Sequence, residues 1–361
     1  MLPAIVPLLV LSMVVAHPPS SAARTSPWDL RSPSVGGAWA AFEGLVDAEL
    51  GDQKTGVAEL KRYLHRFGYL PSNLSDHRRV ASRDGNNFTD AFDEVLESAV
   101  SLYQSKLGMA ITGRLDGATV NQMMAPRCGV DDQNMRPQRR NSQRYAFFSG
   151  RPSWRRKAPV NLTYGFFPGN FIDYIPRAEV EAAFRRAFGR WAAVIPVSFV
   201  EVEEYWAADI KVGFHGGDHG DGEPFDGVLG VLAHAFSPEN GRLHLDTAET
   251  WALDFEKEQS PVAVDLESVA THEIGHVLGL AHSPVKEAIM YPSLIPRKRK
   301  LKLHRDDVEG MQLLYGSNPH FRLDSLLASE TSSAARIGNV VDVIRGGCLW
   351  ALAVASYVKM L

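Results

Sequence analysis

The chemistry of this chain is concentrated in one short run, Thr271-His272-Glu273-Ile274-Gly275-His276-Val277-Leu278-Gly279-Leu280-Ala281-His282-Ser283. Positions four apart lie on one face of a helix, so His272 and His276 can present two imidazole nitrogens to one metal ion, with Glu273 turned toward the side where water binds. Gly279 permits the left-handed turn that ends the helix, and His282 can then supply a third ligand. Three neutral nitrogens leave one position of a tetrahedral Zn²⁺ open to water, which is typical of a catalytic zinc site.

The alternative is a helix whose histidines are ordinary solvated surface residues. A bare His-Glu-x-x-His pattern arises by chance in roughly one chain in fifty of this composition. A third histidine at a fixed position makes the coincidence roughly thirtyfold rarer again. We therefore predict a catalytic zinc held by His272, His276 and His282, with Glu273 as the general base.

The complete pattern His272-Glu273-x-x-His276-x-x-Gly279-x-x-His282 resembles the metzincin signature, and Ala288-Ile289-Met290-Tyr291-Pro292 resembles the Met-turn that follows it. From about residue 50 to 318 the chain resembles the matrix metalloproteinases, or matrixins, of the plant type that lacks a hemopexin-like domain. The resemblance implies a zinc endopeptidase with Met290 beneath the metal as a packing floor. It also implies that Ser268 and Pro292 line a pocket for an apolar residue after the cut, and that substrate pairs as an extra strand with residues 230–233.

The two cysteines, Cys128 and Cys348, lie in such different contexts that we expect no structural disulfide between them. Cys128 lies in Pro126-Arg127-Cys128-Gly129-Val130-Asp131-Asp132, which resembles the matrixin cysteine switch. A thiolate is a good zinc ligand and can occupy the position that the catalytic water needs. The resemblance implies that Arg127 and Asp132 pair with each other to support the switch. The alternative is an inert buried cysteine.

A second metal cluster is predicted upstream of the signature. Three nitrogens and one carboxylate, enough to close a tetrahedral zinc site without a water position, come from His219, Asp221, His234 and His244. From spacing alone, a solvated histidine-rich loop is an open alternative. The matrixin resemblance implies a structural zinc.

Oxygen ligands are interleaved with these histidines. The resemblance implies a calcium site in an irregular loop, formed by Asp226, Gly227, Asp246 and Glu249 with the backbone carbonyls of Leu229 and Val231. The segment 239–243 is shorter than the glycine-rich loop of many matrixins and lacks its aspartate. We therefore do not expect a further calcium at Asp209.

Hydrophobic periodicity divides the rest of the chain into two bodies. Residues 53–126 have helical spacing, with Asp116 as an N-cap and Pro126 as a stop, and predict a small three-helix domain. Residues 158–318 predict strands at 160–164, 197–202 and 209–212, helices at 177–194, 265–279 and 305–315, and an irregular segment at 213–244. The fold class is α+β. The resemblance makes it a metzincin catalytic domain, with a twisted mixed sheet and three helices, preceded by a peptidoglycan-binding-like propeptide.

The chain divides into four predicted regions. The two ends resemble targeting signals: a signal peptide at 1–23, and a polar spacer with a GPI-attachment signal at 319–361. Between them, the resemblance implies a propeptide at 24–144 and a catalytic domain at 145–318. Ser332 and Ser333 are the candidate attachment residues, and a last packed helix is the alternative for this tail. Residues 133–157 are polar and basic and predict an exposed linker that proteases can reach. Glycosylation sequons occur at Asn73, Asn87 and Asn161.

The composition is that of an ordinary globular protein. With 45% hydrophobic residues and a net charge of −4, it excludes fibrous and disordered classes and gives no electrostatic case for nucleic acid as a partner. The basic run at 297–300 is interpreted as a solvated loop. We expect a monomer that acts on protein or peptide substrates, either secreted or held by a lipid anchor on the extracellular face of the plasma membrane.

Two functions from different classes are consistent with the sequence. One is a secreted or cell-surface zinc endopeptidase, made as a cysteine-switch zymogen, that cleaves extracellular matrix or cell-wall proteins. The other is a catalytically silent binding module that keeps its metals for stability. Glu273 favours the first, because a silent relative is free to lose the one acid that binds no metal.

Overall fold

The structure, a computed structural model, describes residues 37–70, 88–132, 145–156 and 159–322. The predicted signal peptide, two sequons at Asn73 and Asn87, the anchor residues Ser332 and Ser333, and Cys348 lie outside the described residues. The third sequon, Asn161, lies on a strand with its side chain exposed. Within the described part of the chain, no helix has the length and apolar character needed to cross a membrane.

The first body is the predicted three-helix domain. Its helices are α1 (Val57–Arg66), α2 (Glu94–Lys106) and α3 (Gly117–Met124), and a short 3-10 helix (Ala40–Leu45) precedes them. The carboxylates of Asp93 and Asp116 cap α2 and α3 by accepting hydrogen bonds from the backbone N–H groups of Leu96 and Thr119. An aromatic cluster fills the core: Trp39, Phe42, Tyr63, Phe67, Tyr69 and Tyr103. The predicted domain and its N-cap are confirmed.

The second body is built on a six-stranded mixed sheet. Its strands are β1 (Arg127–Cys128), β2 (Val160–Phe166), β3 (Val197–Glu201), β4 (Ile210–His215), β5 (Val231–Ala235) and β6 (Arg242–Asp246). Their order is β1-β5-β6-β4-β2-β3, and β5–β6 is the antiparallel pair. The short strands β7 (Trp251–Ala252) and β8 (Val264–Asp265) pair separately.

Three helices cover this sheet: α4 (Arg177–Val194), α5 (Leu266–Val277) and α6 (Arg305–Tyr315). Every residue of α5 is buried, including the polar residues of the signature. The indole N–H of Trp191 on α4 donates to the carbonyl of Thr271 at 2.9 Å, which fixes α4 against α5. The α+β class and the twisted mixed sheet with three helices agree with the prediction.

Two sequence interpretations are wrong. The segment 213–244 is not irregular throughout, since it contains all of β5 and the start of β6. β5 is buried along its whole length and therefore lacks the alternation of polar and apolar residues by which a half-buried strand is recognised. The linker interpretation fails for residues 145–156, because Tyr145, Ala146, Phe147 and Trp154 are buried. Ala146 accepts a backbone hydrogen bond from Ala281, and Trp154 donates its indole N–H to Val277.

Gly275 shows how tightly α5 is packed. A Cβ atom at this position would overlap Sδ of Met290 and would come within 3.1 Å of the Trp191 ring. Gly189 on α4 is the contrasting case, since a Cβ atom there would meet nothing within 4 Å.

We predict opposite effects for the same substitution at these two helical glycines. Gly275→Ala should lower the free energy of unfolding by about 1–3 kcal/mol, because overpacking outweighs the gain in helix propensity. Gly189→Ala should raise it by about 0.5–1 kcal/mol, because only the propensity changes. Urea unfolding of both variants checks this, and a stabilised Gly275→Ala would contradict the packing described.

Candidate active site and metal centres

The three histidines of the signature converge in the interior. Their Nδ1 atoms each donate a hydrogen bond: His272 to the carbonyl of Ile289 at 2.7 Å, and His276 to the carbonyl of Leu280 at 2.7 Å. The Nδ1 of His282 donates to the Asp132 carboxylate at 2.6 Å. A carbonyl can only accept, so the ring proton lies on Nδ1 and the Nε2 lone pair points inward. Burial also lowers the pKa of each ring, which keeps it neutral.

The inward atoms have the arrangement that a metal ion requires. Nε2 of His276 lies 3.0 Å from Nε2 of His272 and 3.4 Å from Sγ of Cys128. Ligand atoms of Cys128 and the three histidines all lie within 4.8 Å of one another. Nε2 of His282 is buried and has no hydrogen-bond partner within the described part of the chain. Lone pairs this close repel one another in a dry interior unless a cation lies between them, so the residues fit zinc.

Glu273 lies beside this cluster on α5 and is fully buried. Neither of its carboxylate oxygens has a hydrogen-bond partner among the described residues. Burial raises the pKa of Glu273 to about 8. A buried acid next to a metal site is the arrangement expected of a proton-transfer group.

The segment around Cys128 occupies the cleft as strand β1. The backbone N–H groups of Arg127 and Gly129 donate to the carbonyls of Gly230 and Ala233 on the β5 side, at 3.0 and 2.8 Å. On the other side, the N–H of Cys128 donates to the carbonyl of Pro292 at 2.9 Å. β1 therefore fills the edge along which we expected substrate to pair.

Arg127 and Asp132 form the predicted pair. Both side chains are fully buried, and Nη2 of Arg127 lies 2.8 Å from Oδ2 of Asp132. The guanidinium also stacks on Phe67, with its carbon 3.7 Å from the ring centroid. Although burial alone would raise the pKa of Asp132, Arg127, His282 and Tyr69 together hold it well below its usual range. The carboxylate is therefore ionised.

The second predicted cluster is also assembled. Oδ2 of Asp221 lies 2.9 Å from Nε2 of His219, 2.8 Å from Nε2 of His234 and 2.9 Å from Nδ1 of His244. Burial lowers the pKa of His234 to about 4 and that of His244 to about 3, so both rings are neutral. Three nitrogens and one carboxylate meet at one point, a four-ligand set that fits a structural zinc.

The predicted calcium residues lie in the loop between β4 and β5, at the start of β5, and at or just after the end of β6. Leu229 donates its N–H to Glu249, Val231 to Asp226, and Ala248 to Asp246. The second carboxylate oxygens of Asp246 and Glu249 are buried and have no hydrogen-bond partner among the residues that the structure describes. Burial and the neighbouring Asp246 raise the pKa of Glu249 to about 8. Gly227 has a φ of 91°, which lets the loop turn between these acids.

Asp209, where we expected no calcium, accepts hydrogen bonds from Thr163 and Arg156. Its oxygens are therefore occupied within the chain.

A pocket opens beside His272 and Glu273. Its lining includes the predicted Ser268 and Pro292, together with Leu232, Val269, Tyr291, Leu294 and Lys300. Sequence reasoning missed Lys300, because it treated residues 297–300 as a solvated loop. In the structure, Nζ of Lys300 donates to the carbonyls of Lys286 and Ala288, and Arg297 donates to three carbonyls of residues 255–260. The segment 297–300 therefore connects the loops at 255–260 and 286–288 by hydrogen bonds.

The predicted Met-turn lies beneath α5, with Met290 buried against Gly275. Asp307 fixes this turn, because its carboxylate accepts the N–H groups of Ile289 and Met290 at 2.8 and 3.0 Å. It also accepts the N–H of His304 at the start of α6. Helix-dipole reasoning explains an acid at this position but gives no signal for its contact with the Met-turn.

Known proteins match both bodies. The matrixin family model matches residues 153–316, and the model of a putative peptidoglycan binding domain matches residues 53–123. Metalloendoproteinase 4-MMP of Arabidopsis thaliana is 55% identical over 280 residues, which cover 77% of each chain. The chain belongs to the matrixin family. Metalloendoproteinase 1-MMP of the same plant is 54% identical over 299 residues, covering 81% of this chain and 78% of its own length. Human neutrophil collagenase is 36% identical over 263 residues, covering 71% of this chain and 50% of its own.

This matrixin is a zinc metalloendopeptidase, so its substrates are proteins or peptides. The resemblance to plant matrixins, the fold class and the enzyme class are confirmed. The alternative of a catalytically silent binding module has no observation in its favour, since Glu273 is present and lies beside the metal cluster.

We predict that Asp221→Ala loses one zinc ion per chain, because Asp221 touches all three histidines of the second cluster. His215→Gln is the matched control: its ring stacks on His219 at 4.9 Å, but it contributes no atom to the cluster. Elemental analysis of the purified proteins measures the zinc content. Equal zinc content in Asp221→Ala and His215→Gln would contradict the assignment.

Proposed function

We propose that this matrixin is a secreted or cell-surface endopeptidase, made as a cysteine-switch zymogen, that cleaves extracellular matrix or cell-wall proteins before an apolar residue. The observation that carries the proposal is the buried cluster of Sγ of Cys128 with three histidines that lie about 150 positions further along the chain. Extracellular action rests on the signal-like residues 1–23, and tethering rests on the tail at 319–361 with Ser332 or Ser333 as attachment site.

His272, His276 and His282 are the residues that would hold the catalytic zinc, with Cys128 as the fourth ligand in the zymogen. When bound, the metal polarises the scissile carbonyl and makes water a better nucleophile. Glu273 takes the proton from the attacking water and gives it to the leaving amine. When Cys128 leaves the cluster, the fourth ligand position becomes available for the water that the reaction needs.

Backbone groups orient the substrate. In the zymogen, β1 hydrogen-bonds to Gly230 and Ala233 on one side and to Pro292 on the other. Once β1 has left, the same carbonyls can pair with an extended peptide, which supports binding by strand addition. The side chain after the cut would enter the pocket beside Ser268 and Pro292, where Leu232, Val269 and Leu294 favour an apolar group.

Two further metals support this arrangement. We assign a structural zinc to His219, Asp221, His234 and His244, and a calcium ion to the side chains of Asp226, Asp246 and Glu249 with backbone atoms of Gly227, Leu229 and Val231. Both groups flank β5, whose edge receives the peptide. Buried carboxylate oxygens without partners are a reason to expect a cation.

We predict that Cys128→Ser makes the uncut proenzyme active on a peptide substrate, because the hydroxyl is a poor zinc ligand. Adding Glu273→Gln should reduce this activity about 10²–10⁴-fold, which is the usual contribution of a general base to the rate. Cys348→Ser is the control and should stay latent. A fluorogenic peptide assay with and without chelator measures all three, and an unchanged rate in the Glu273→Gln variant would refute the proposed mechanism.

Calcium should stabilise the protein through the acidic loop. A hundredfold excess over the dissociation constant should add about 2.7 kcal/mol to the free energy of unfolding. Asp246→Asn should lose this gain, whereas Glu256→Gln, at an exposed position, should keep it. Thermal unfolding across a calcium titration tests the site, and an equal gain in both variants would count against it.

A further inference from the structure

One carboxylate connects the propeptide to the catalytic histidines. Oδ2 of Asp132 accepts from Nη2 of Arg127 at 2.8 Å and from the hydroxyl of Tyr69 at 2.6 Å. Its other oxygen, Oδ1, accepts from Nδ1 of His282 at 2.6 Å. Both Asp132 and His282 are buried. The two oxygens of Asp132 therefore bind different partners: Oδ2 accepts from propeptide side chains, and Oδ1 accepts from a histidine of the metal cluster.

His282 differs from the other two histidines in this contact. His272 and His276 are oriented by carbonyls of Ile289 and Leu280, which belong to the catalytic domain itself. The orienting partner of His282 is a carboxylate that lies in the propeptide, 150 positions earlier in the chain. A carboxylate partner fixes the ring and its tautomer and strengthens the nitrogen as a ligand, more than a neutral carbonyl does.

We propose that Asp132 is a positioning residue for the catalytic zinc, which it supports through His282 independently of its pairing with Arg127. The propeptide then acts on the metal twice, directly through Cys128 and indirectly through Asp132. The inference rests on the proposed role of His282 as a zinc ligand. Its consequence is that the zymogen holds zinc more tightly than the thiol alone explains, and that removal of the propeptide takes both contributions away.

Zinc retention by the full-length proenzyme tests this in a Cys128→Ser background, where the thiol contributes nothing. Transfer of zinc to a chromogenic chelator gives the affinity. Asp132→Asn should weaken zinc binding about 10–100-fold, the usual effect of losing an outer partner of a metal-binding histidine. Tyr69→Phe removes another hydrogen bond to the same carboxylate without touching His282, and should leave zinc binding nearly unchanged.

Arg127→Met separates positioning from docking of the propeptide. It breaks the ion pair but leaves the contact between Asp132 and His282, so it should weaken zinc binding less than Asp132→Asn does. Equal effects of the two variants would overturn the proposal, because Asp132 would then act only by holding the propeptide in place. No effect of Asp132→Asn would overturn it as well.

His282→Gln separates this inference from the proposed function. If it leaves zinc binding intact, the assignment of His282 as a ligand fails, and the inference fails with it. If it weakens zinc binding while Asp132→Asn does not, only the role of Asp132 is refuted.

A spectroscopic measurement needs no variant of Asp132. In zinc-loaded proenzyme labelled with ¹⁵N-histidine, the Nδ1 proton of His282 should be protected from exchange and shifted downfield by the carboxylate. Cutting away the propeptide should remove this signal and leave those of His272 and His276. The His282→Gln variant assigns the resonance, because the signal is missing from its spectrum. If the His282 signal persisted after removal of the propeptide, the proposal would be overturned.

Discussion

The structure depends on four electron-rich atoms that meet in a water-free interior. Nε2 of His272 and His276 lie 3.0 Å apart, and Sγ of Cys128 lies 3.4 Å from the second of them. Without a cation these atoms repel one another, and burial together with the neighbouring histidines lowers the pKa of both rings, which keeps them neutral. The surrounding elements position the ligands through contacts that do not involve a metal. Trp191 fixes α5 against α4, and Asp307 holds the Met-turn beneath α5.

The segment around Cys128 fills the cleft with backbone as well as with a thiol. β1 takes hydrogen-bonding groups of β5 and of Pro292 that an extended peptide would otherwise use. Its position is supported from within its own domain, since Arg127 stacks on Phe67 and pairs with Asp132. Under the proposed cysteine switch, latency depends on the folded helical domain, because Phe67 and Tyr69, which contact Arg127 and Asp132, belong to that domain.

Most of the elements and ligand types could be predicted from local patterns. The i, i+4 histidines, the cap at Asp116 and the helices at 177–194 and 305–315 depend on residues close together in the chain. The prediction failed at β5, because His234 and His244 look polar in sequence but are buried as a pair across two strands. It also failed at Lys300, whose partners at Lys286 and Ala288 become neighbours only when the loop folds back.

The sequence by itself determined the residue types of the metal ligands and the spacing of the two histidines on α5. It also determined that a helical domain precedes an α+β domain. These are local properties, fixed by residue chemistry and helical geometry. Only the tertiary structure decided that Asp132 meets His282, that β1 pairs with β5, and that Asp307 accepts the N–H groups of the Met-turn. Each of these contacts joins residues far apart in the chain, and they form because packing of the two cores brings those residues together.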